Sequence, residues 1–451
     1  TDDNPRKEDP KKIRKEIINY LKGSNYFNIG NRSKAIKEAI SKAEPNEIIL
    51  IAGKGHENYQ DYGNKVISIS DSKIIKKIRI NKKTISQKRQ NYLFNSKILN
   101  KIIKNKKLYK FDGLAIDSRD VKKDNLFLAI KGKNNDGNQF ISKAIKKGAN
   151  YVVSSKNNKK NKNKIIKVDN TISFLNKFAK LKRENCNAKI LAITGSAGKT
   201  SLKNILNILL KRYSNTYASP RSFNNHYGVP LSLSNLNQDH QFGVFELGMS
   251  RAGEINQLSK MIKPNLAIIT NIAEAHIENF RNIKGIAKAK SEIISNIESK
   301  GTIILNRDDK FFNYLSSKAK SKNIKIITFG KSKKSDVHVI KIKKYGAIKE
   351  IIIRVKNEFF KLRVKNINVY NVLASLAVLK EFGFSLQKTI QVFKNFEPSE
   401  GRGRIHKIKR YKKNFRLIDE SYNANPFSVK NALSNFAEIK KNKFKKYLLL
   451  G

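Results

Sequence analysis

In mid-chain the stretch ILAITGSAGKTS (190–201) sets two glycines, a lysine and a threonine at a spacing suited to gripping phosphate. Gly195 and Gly198 let backbone N–H groups close around phosphate oxygens, and Ser196, Ala197 and Ser201 complete the turn. Lys199 supplies a point charge to the outer phosphates, and Thr200 offers a hydroxyl to magnesium. The spacing is G-x-x-G-K-T; the commoner phosphate loop needs glycine at 193, where this chain has Ile193. Residues 189–194 read as a short buried strand, and Leu202, Ile205, Leu206 and Leu209 recur at helical spacing after the loop. A plain glycine turn before a Lys-Thr helix is the competing reading, and the strand–loop–helix context weighs against it. The pattern implies binding of a nucleoside triphosphate.

Two later segments end strands on residues able to do chemistry. FGVFELG ends on Glu246, and TNIAEAHIENF carries Asn271 and His276 just past another strand. An open parallel sheet binds its ligands at the carboxyl ends of its strands, where an acid can hold magnesium. Taken singly, Glu246 could be a helix-entry charge and His276 a satisfied core or surface residue. Their order after the phosphate loop favours the functional reading.

The elements that must position these residues fall into four units. Residues 1–80 alternate helix-like stretches with an apolar strand EIILIAG (47–53), and the Lys/Asn/Gln-rich residues 81–104 read as a linker. Residues 105–185 contain strand-like LAIDS, NLFLAI and YVVSS, with a helix from Phe140 to Lys147 ended by Gly148. Residues 186–395 hold the phosphate loop and further strand–helix alternation, as a parallel α/β sheet would. Residues 396–451 begin another unit that stops at LLLG as a strand finishes. The chain does not begin with Met, and the reading is of a piece truncated at both ends.

Composition bounds the partners. The 451 residues include 94 Lys and Arg against 36 Asp and Glu, a formal charge of +58. Such a balance raises the possibility of a basic ATPase acting on nucleic acid. However, lysine is spread over every segment together with Ile and Asn, and runs such as KNNKKNKNK (156–164) read as solvated loops with too few aromatics to stack bases. No nucleic-acid partner is expected. A single cysteine, Cys186, excludes an internal disulfide framework and fits a reducing compartment. No apolar run approaches the roughly 18 residues of a membrane span, so a cytoplasmic monomer is expected.

At this point a resemblance becomes specific. TGSAGKTS, FNNHYGVPLSL (223–233), FELGMSRAGEI (245–255), TNIAEAHIENF (270–280), AKAKSEI (287–293), GRGR (401–404) and IDESYNANPFSV (418–429) occur in the order seen in the Mur ligases. The chain from about 105 to 451 resembles the member that adds D-alanyl-D-alanine, and IDESYNANP is its most specific signature. Upstream, LAIDSRDVKKDNLFLAIKGKNNDGNQFI (114–141) resembles that member's amino-terminal domain, although Asn138 stands where the family's DGHxF has histidine. Residues 1–80, with TDDNPRKEDP and LIAGKGHENYQ, resemble the carboxy-terminal domain of the member that adds meso-diaminopimelate, which suggests a fusion of two consecutive ligases.

The resemblance implies an α/β multidomain architecture with a central P-loop ATPase domain and Rossmann-like carboxy-terminal domains. It implies ATP and Mg2+ as cofactors and UDP-N-acetylmuramoyl-tripeptide and D-alanyl-D-alanine as substrates, joined through an acyl phosphate. By the same carry-over Lys199 holds the transferring phosphoryl group, Thr200 and Glu246 bind a first magnesium, and His276 with a carbamylated Lys290 places a second. Asn271 lies near the nucleotide; Arg402 reaches phosphate and Asp419 the ribose, once the last domain swings onto the central one. Ser118, Arg119, Asn224, Asn225, Tyr422, Asn423 and Asn425 line the substrate cleft. In the first unit Asp3, Asn4, Arg6, Gly53 and Glu57 would receive meso-diaminopimelate, with Arg6 as a bidentate fork for its carboxylate. A glutamate-adding ligase of folate metabolism shares G-x-x-G-K-T but leaves the DSR-containing segment and YNANP unexplained. Cut at both ends, the chain alone is expected not to turn over.

Overall fold

The computed structural model describes residues 1–2, 4–21, 26–42, 49–52, 57–132, 135–275, 277–345, 348–365, 367–410, 413–422, 426–437 and 446–449. The chain forms two compact units, Thr1–Gln90 and Asn91–Gly451. The first contains helices α1 (Pro10–Asn19) and α2 (Arg32–Lys42) and a short antiparallel pair, β1 (Tyr59–Asp61) with β2 (Val66–Ser68). Asp9 caps α1 by accepting from Lys11 N, and Pro10 occupies the first helical position, where its missing N–H costs nothing. A buried Arg32 forks onto Asp71 at 2.7 Å. Of the strand expected over 47–53, residues 49–52 are not in a strand, and 47, 48 and 53 lie outside the described residues.

Helix α3 (Asp71–Ile103) carries the chain from the first unit into the second, so the stretch read as a linker is helical. Lys, Asn and Gln dominate its composition, yet Phe94, Ile98 and Leu99 fall on one face and are buried. They pack with Leu126, Leu128, Val153, Phe174 and Phe178. Leu126, Leu128 and Val153 come from a four-stranded parallel sheet, β3 (Leu114–Ala115), β4 (Asn125–Leu128), β5 (Ala149–Ser154) and β6 (Ile165–Lys167), in that order, and the two phenylalanines from the helix after it. Helix α4 (Ile141–Lys146) follows β4, and α5 (Thr171–Glu184) follows β6, with Asn170 accepting from Ile172 N and Ser173 N at its start.

The central body is a nine-stranded sheet. Its chain order is β7 (Lys189–Thr194), α6 (Lys199–Leu210), β8 (Thr216–Ala218), α7 (Gly228–Ser234), β9 (Phe242–Glu246), α8 (Glu254–Ile262), β10 (Leu266–Ile269), α9 (Ile283–Ser291), β11 (Thr302–Asn306), α10 (Phe312–Lys320) and β12 (Lys325–Gly330). There follow β13 (Val337–Tyr345), β14 (Ile348–Val355), β15 (Glu358–Lys365), α11 (Val369–Glu381) and α12 (Ile390–Asn395). In space the strands run β15-β14-β13-β12-β11-β10-β7-β9-β8, parallel from β8 to β13 and antiparallel through β14 and β15. Strands β7, β9 and β10 are unbroken apolar runs because helices cover both faces, as two separate apolar clusters record. A hairpin of β16 (Arg404–Arg410) and β17 (Lys413–Asp419), then α13 (Pro426–Ala437), completes the described chain apart from residues 446–449, which are in no strand; of LLLG, 450 and 451 lie outside the described residues. Among the described residues no helix is long and apolar enough to cross a membrane.

Candidate active site

The turns after β7, β9 and β10 gather at the carboxyl edge of the central sheet. Gly195 has φ 145°, and a Cβ there would stand 1.9 Å from Thr270 Oγ1, so only glycine lets the loop lie against β10. Gly198, at φ 83°, turns the chain into α6. Asn271 braces the loop from beneath: its Oδ1 accepts from Ala197 N and its Nδ2 donates to Ala197 O, each at 3.0 Å. Thr270 Oγ1 donates to the same carbonyl at 2.6 Å, and Ser196 Oγ donates to Ala273 O at 2.7 Å. These contacts fix the loop, with Ser196 N and Ala197 N both donating to Asn271, and it leads into the start of α6, the end of a helix that favours anions. Ser201 follows, half-buried, in the first turn.

Beneath the loop sits Glu246, 1% exposed at the end of β9. Thr200 Oγ1 donates to its Oε2 at 2.7 Å, and Asn224 Nδ2 donates to its Oε1 at 2.8 Å. Ser222 Oγ stands 3.4 Å from Thr200 Oγ1 and receives Arg402 Nη2 at 3.3 Å. Cations crowd this one carboxylate. Lys199, half-buried, donates to Gly195 O at 2.8 Å. Burial pushes the pKa of Lys199 down, Glu246 opposes the shift, and Arg402 adds to it. Lys290 on α9 is 3% exposed, and burial, reinforced by Lys199, holds its amine well below the ordinary lysine range. Lys288, two residues earlier, is exposed, so the helix face selects Lys290.

A carboxylate, two hydroxyls and an amide are hard oxygen donors of the kind magnesium takes. Among the described residues no group of three or more His, Cys, Asp or Glu could hold a metal by itself. The donors fit an ion completed by phosphate oxygens, the usual situation for magnesium at a nucleotide.

Other residues singled out from the sequence have various surroundings. Arg402 lies 3.8 Å over the ring of Tyr422, and Asn204 of α6 donates to Ser399 at 2.7 Å. Arg402 meets the central domain through Ser222. Asp419 accepts from Gly401 N at 2.8 Å and from Ser421 Oγ at 2.6 Å, which lowers its pKa and shapes the turn that presents Arg402. Asn225 accepts from Gly228 N at 2.9 Å and opens α7. Ser118 is buried, whereas Arg119 is exposed and forks onto Asp117 at 2.7 Å. Asn138, in the family's histidine position, accepts from Ser154 at 2.8 Å and so ties its turn to the end of β5. In the first unit Asn4 donates to Glu57 at 2.7 Å, and Arg6 is exposed with its backbone N donating to Asp61 O. His276, Asn423, Asn425, Asp3 and Gly53 lie outside the described residues.

Three residues of the site escaped the sequence reading. Lys203 has a legible signal, since it lies four residues beyond Lys199 among the buried residues of α6. Ser222 carried only its nearness to FNNHYG. Asn371, whose Nδ2 lies 3.5 Å from Gly198 O, comes from α11 and had no local signal at all.

Comparison with known proteins agrees with this geometry. Residues 193–379 match the Mur ligase middle domain, 110–183 the Mur ligase family catalytic domain, and 1–55 the Mur ligase glutamate ligase domain. The UDP-N-acetylmuramoyl-tripeptide--D-alanyl-D-alanine ligase of Rickettsia prowazekii is 37% identical over 331 residues, covering 72% of this chain and 73% of that protein. The enzyme of the same name from Bacillus subtilis is 29% identical, over 75% of this chain and 73% of that one. Among solved structures, MurF from Acinetobacter baumannii superposes with a TM-score of 0.66 at 28% identity, covering 76% of each chain. MurF ligase from Thermotoga maritima in complex with ADP gives 0.61 at 26% identity, over 72% of this chain and 74% of that one. The phosphate loop, the acid beneath it and the order of the matched domains have one explanation: the chain belongs to the Mur ligase family.

Proposed function

We propose that the protein is an ATP-dependent amide ligase of peptidoglycan precursor synthesis, joining D-alanyl-D-alanine to UDP-N-acetylmuramoyl-tripeptide. The observation that carries this reading is the buried Thr200–Glu246–Asn224 network under the phosphate loop, flanked by Lys199 and Arg402. Unligated, those cations leave positive charge without enough carboxylate to balance it, and a polyphosphate supplies what is lacking. The tripeptide's terminal carboxylate oxygen attacks the γ-phosphorus and ADP leaves. The amine of D-alanyl-D-alanine then attacks the acyl carbon, phosphate departs, and the nitrogen loses a proton. Positioning and charge neutralisation suffice for such a reaction.

Lys199 neutralises the transferring phosphoryl group, while Thr200 and Glu246 would hold magnesium, which would supply charge neutralisation for the phosphates facing the attacking carboxylate. Lys290 takes up carbon dioxide as a carbamate; its burial supports this, because a depressed pKa leaves the amine neutral and nucleophilic. The family resemblance assigns His276 to the same magnesium as the carbamate. Arg402, stacked on Tyr422, reaches the phosphates, and Asp419 and Asn271 border the nucleoside. Ser118, Arg119, Asn224, Asn225, Asn423 and Asn425 face the UDP-peptide or the dipeptide. The domain reading is 105–185 for the UDP-sugar, 186–395 for ATP and 396–451 for the closing domain. The match of 1–55 to a glutamate ligase domain ahead of the other two supports a fusion with a meso-diaminopimelate-adding ligase, in which Asp3, Asn4, Arg6, Gly53 and Glu57 served that substrate. A cytoplasmic monomer fits these substrates.

The test is product formation by the native protein. UDP-muramoyl-pentapeptide should appear by mass spectrometry only with ATP, Mg2+, tripeptide and dipeptide together. ATP turnover that responds to DNA or RNA and ignores the muramyl peptide would overturn the reading.

A further inference from the structure

Lys203 lies one turn beyond Lys199 on α6 and is 1% exposed. An ammonium withdrawn from water must be hydrogen-bonded, and here the partners are backbone. Its Nζ donates to Ser219 O at 2.7 Å and to Arg221 O. Both acceptors belong to the loop 219–227 that joins β8 to α7. Between them the chain is strained: Arg221 has φ 46°, a left-handed conformation that a residue with a Cβ adopts at a cost. The Arg221 guanidinium reaches Asp120, at 2.9 Å, in the turn that also carries Ser118 and Arg119. The very next residues enter the active site. Ser222 meets Thr200 and Arg402, and Asn224 meets Glu246.

We infer that Lys203 is a positioning residue for the ligase reaction: by gripping the carbonyls of Ser219 and Arg221 it holds the strained loop so that Ser222 and Asn224 stand against Thr200 and Glu246. This rests on the function proposed above. Two charge-assisted hydrogen bonds are strong enough to hold a left-handed residue in place, whereas the exposed Arg221–Asp120 pair alone is not. The role differs from that of Lys199, which addresses the phosphate itself. Lys203 spends its donors on the protein, and its effect on the reaction passes through the residues around Glu246.

Lys203→Met keeps the stem and removes the donors; Lys203→Gln, shorter but still a donor, should fall between it and the wild type and carries the same test should the methionine variant not fold. In the native protein, calorimetry with a non-hydrolysable ATP analogue measures binding with and without Mg2+. Lys203→Met should bind the analogue within about twofold of wild type without Mg2+. It should lose roughly tenfold of the Mg2+-dependent tightening and roughly tenfold in kcat, as expected for a charged donor removed. KM for D-alanyl-D-alanine should stay within about twofold. Because the effect passes through Asn224, adding Lys203→Met to Asn224→Ala should cost less than about twofold more. An unchanged Mg2+ response in Lys203→Met overturns the inference. So do fully multiplicative losses in the double variant, and so does an equal fall in binding with and without Mg2+ accompanied by a lower melting temperature. A wild-type protein that makes no pentapeptide fails the function reading instead, and the calorimetric arms still judge Lys203.

Discussion

Replacing Lys199 by alanine separates the charge of the phosphate loop from its shape. The shape does not depend on this side chain, because Asn271 and Thr270 fix Ala197, and Gly195 is seated against Thr270. What leaves is one hydrogen bond to Gly195 O and one cation. A unit charge about 4 Å from a phosphoryl oxygen is worth roughly 4 kcal/mol at an effective dielectric near 20, or about a thousandfold in rate at 1.4 kcal/mol per decade. Arg402, whose charge already acts on Lys199, offsets part of the loss. The expected fall in turnover is therefore roughly 100- to 1,000-fold, the range seen when one preorganised charge-stabilising group is removed. The melting temperature should not drop, since burial already disfavours the ammonium and its removal relieves that cost. Phosphate release with tripeptide and dipeptide present is the assay. Turnover by a folded Lys199→Ala protein within about tenfold of wild type would refute the assignment of the loop charge.

A carbamate on Lys290 makes Lys290→Ala inactive and partly rescued by short-chain carboxylates, while Lys288→Ala, altering an exposed residue, keeps full activity; rescue at 288 and not at 290 would show the wrong lysine had been chosen. A second buried lysine predicts a pH dependence of stability. Lys182 is 0% exposed, donates to Asn95 at 2.7 Å and Asn237 at 3.3 Å, and burial pushes its pKa down to about 7. Between that value and roughly 10.4 in the unfolded chain, the unfolded state binds a proton that the folded state does not. Stability should rise with pH through this window by up to about 1.4 kcal/mol per unit, and fall away as pH drops through 7. Urea titrations at a series of alkaline pH values should show this slope flattened in Lys182→Met; identical slopes would contradict it.

How much of this was legible beforehand follows from how local each signal is. The phosphate loop was legible because glycine, lysine and threonine act within one turn of each other. Glu246 was legible because a strand's last residue must emerge at the ligand edge. The helix over 81–103 was not legible because composition ignores periodicity: Phe94, Ile98 and Leu99 are few among polar residues, yet they share a helix face. Asn371 carries no such mark, and although the place of Lys203 one turn beyond Lys199 is legible, its partners are backbone carbonyls brought near only by the fold. The contact of Arg402 with Ser222 joins residues 180 apart in the sequence, a distance across which no local pattern speaks.

The net charge of +58 and the site's own positive charge are different things, and salt separates them. Most lysines are exposed, where an interaction decays over about 8–10 Å at physiological ionic strength. The lysines beside Glu246 are held within the protein, Lys199 half-buried and Lys203 almost wholly out of contact with water. Screening reaches such groups poorly, so KM for ATP should change by less than about threefold between 50 and 200 mM salt. A protein whose work depended on its surface lysines would behave otherwise. One that neutralised 6–10 phosphates of a nucleic acid would lose about 10³–10⁵ in affinity over the same interval. Ligase kinetics across that range thus distinguish a basic surface that does nothing in the reaction from one that recruits the substrate. A steep fall in kcat/KM for ATP with added salt would mean that the exposed lysines take part, and that the buried cluster around Glu246 is not the whole of the nucleotide site.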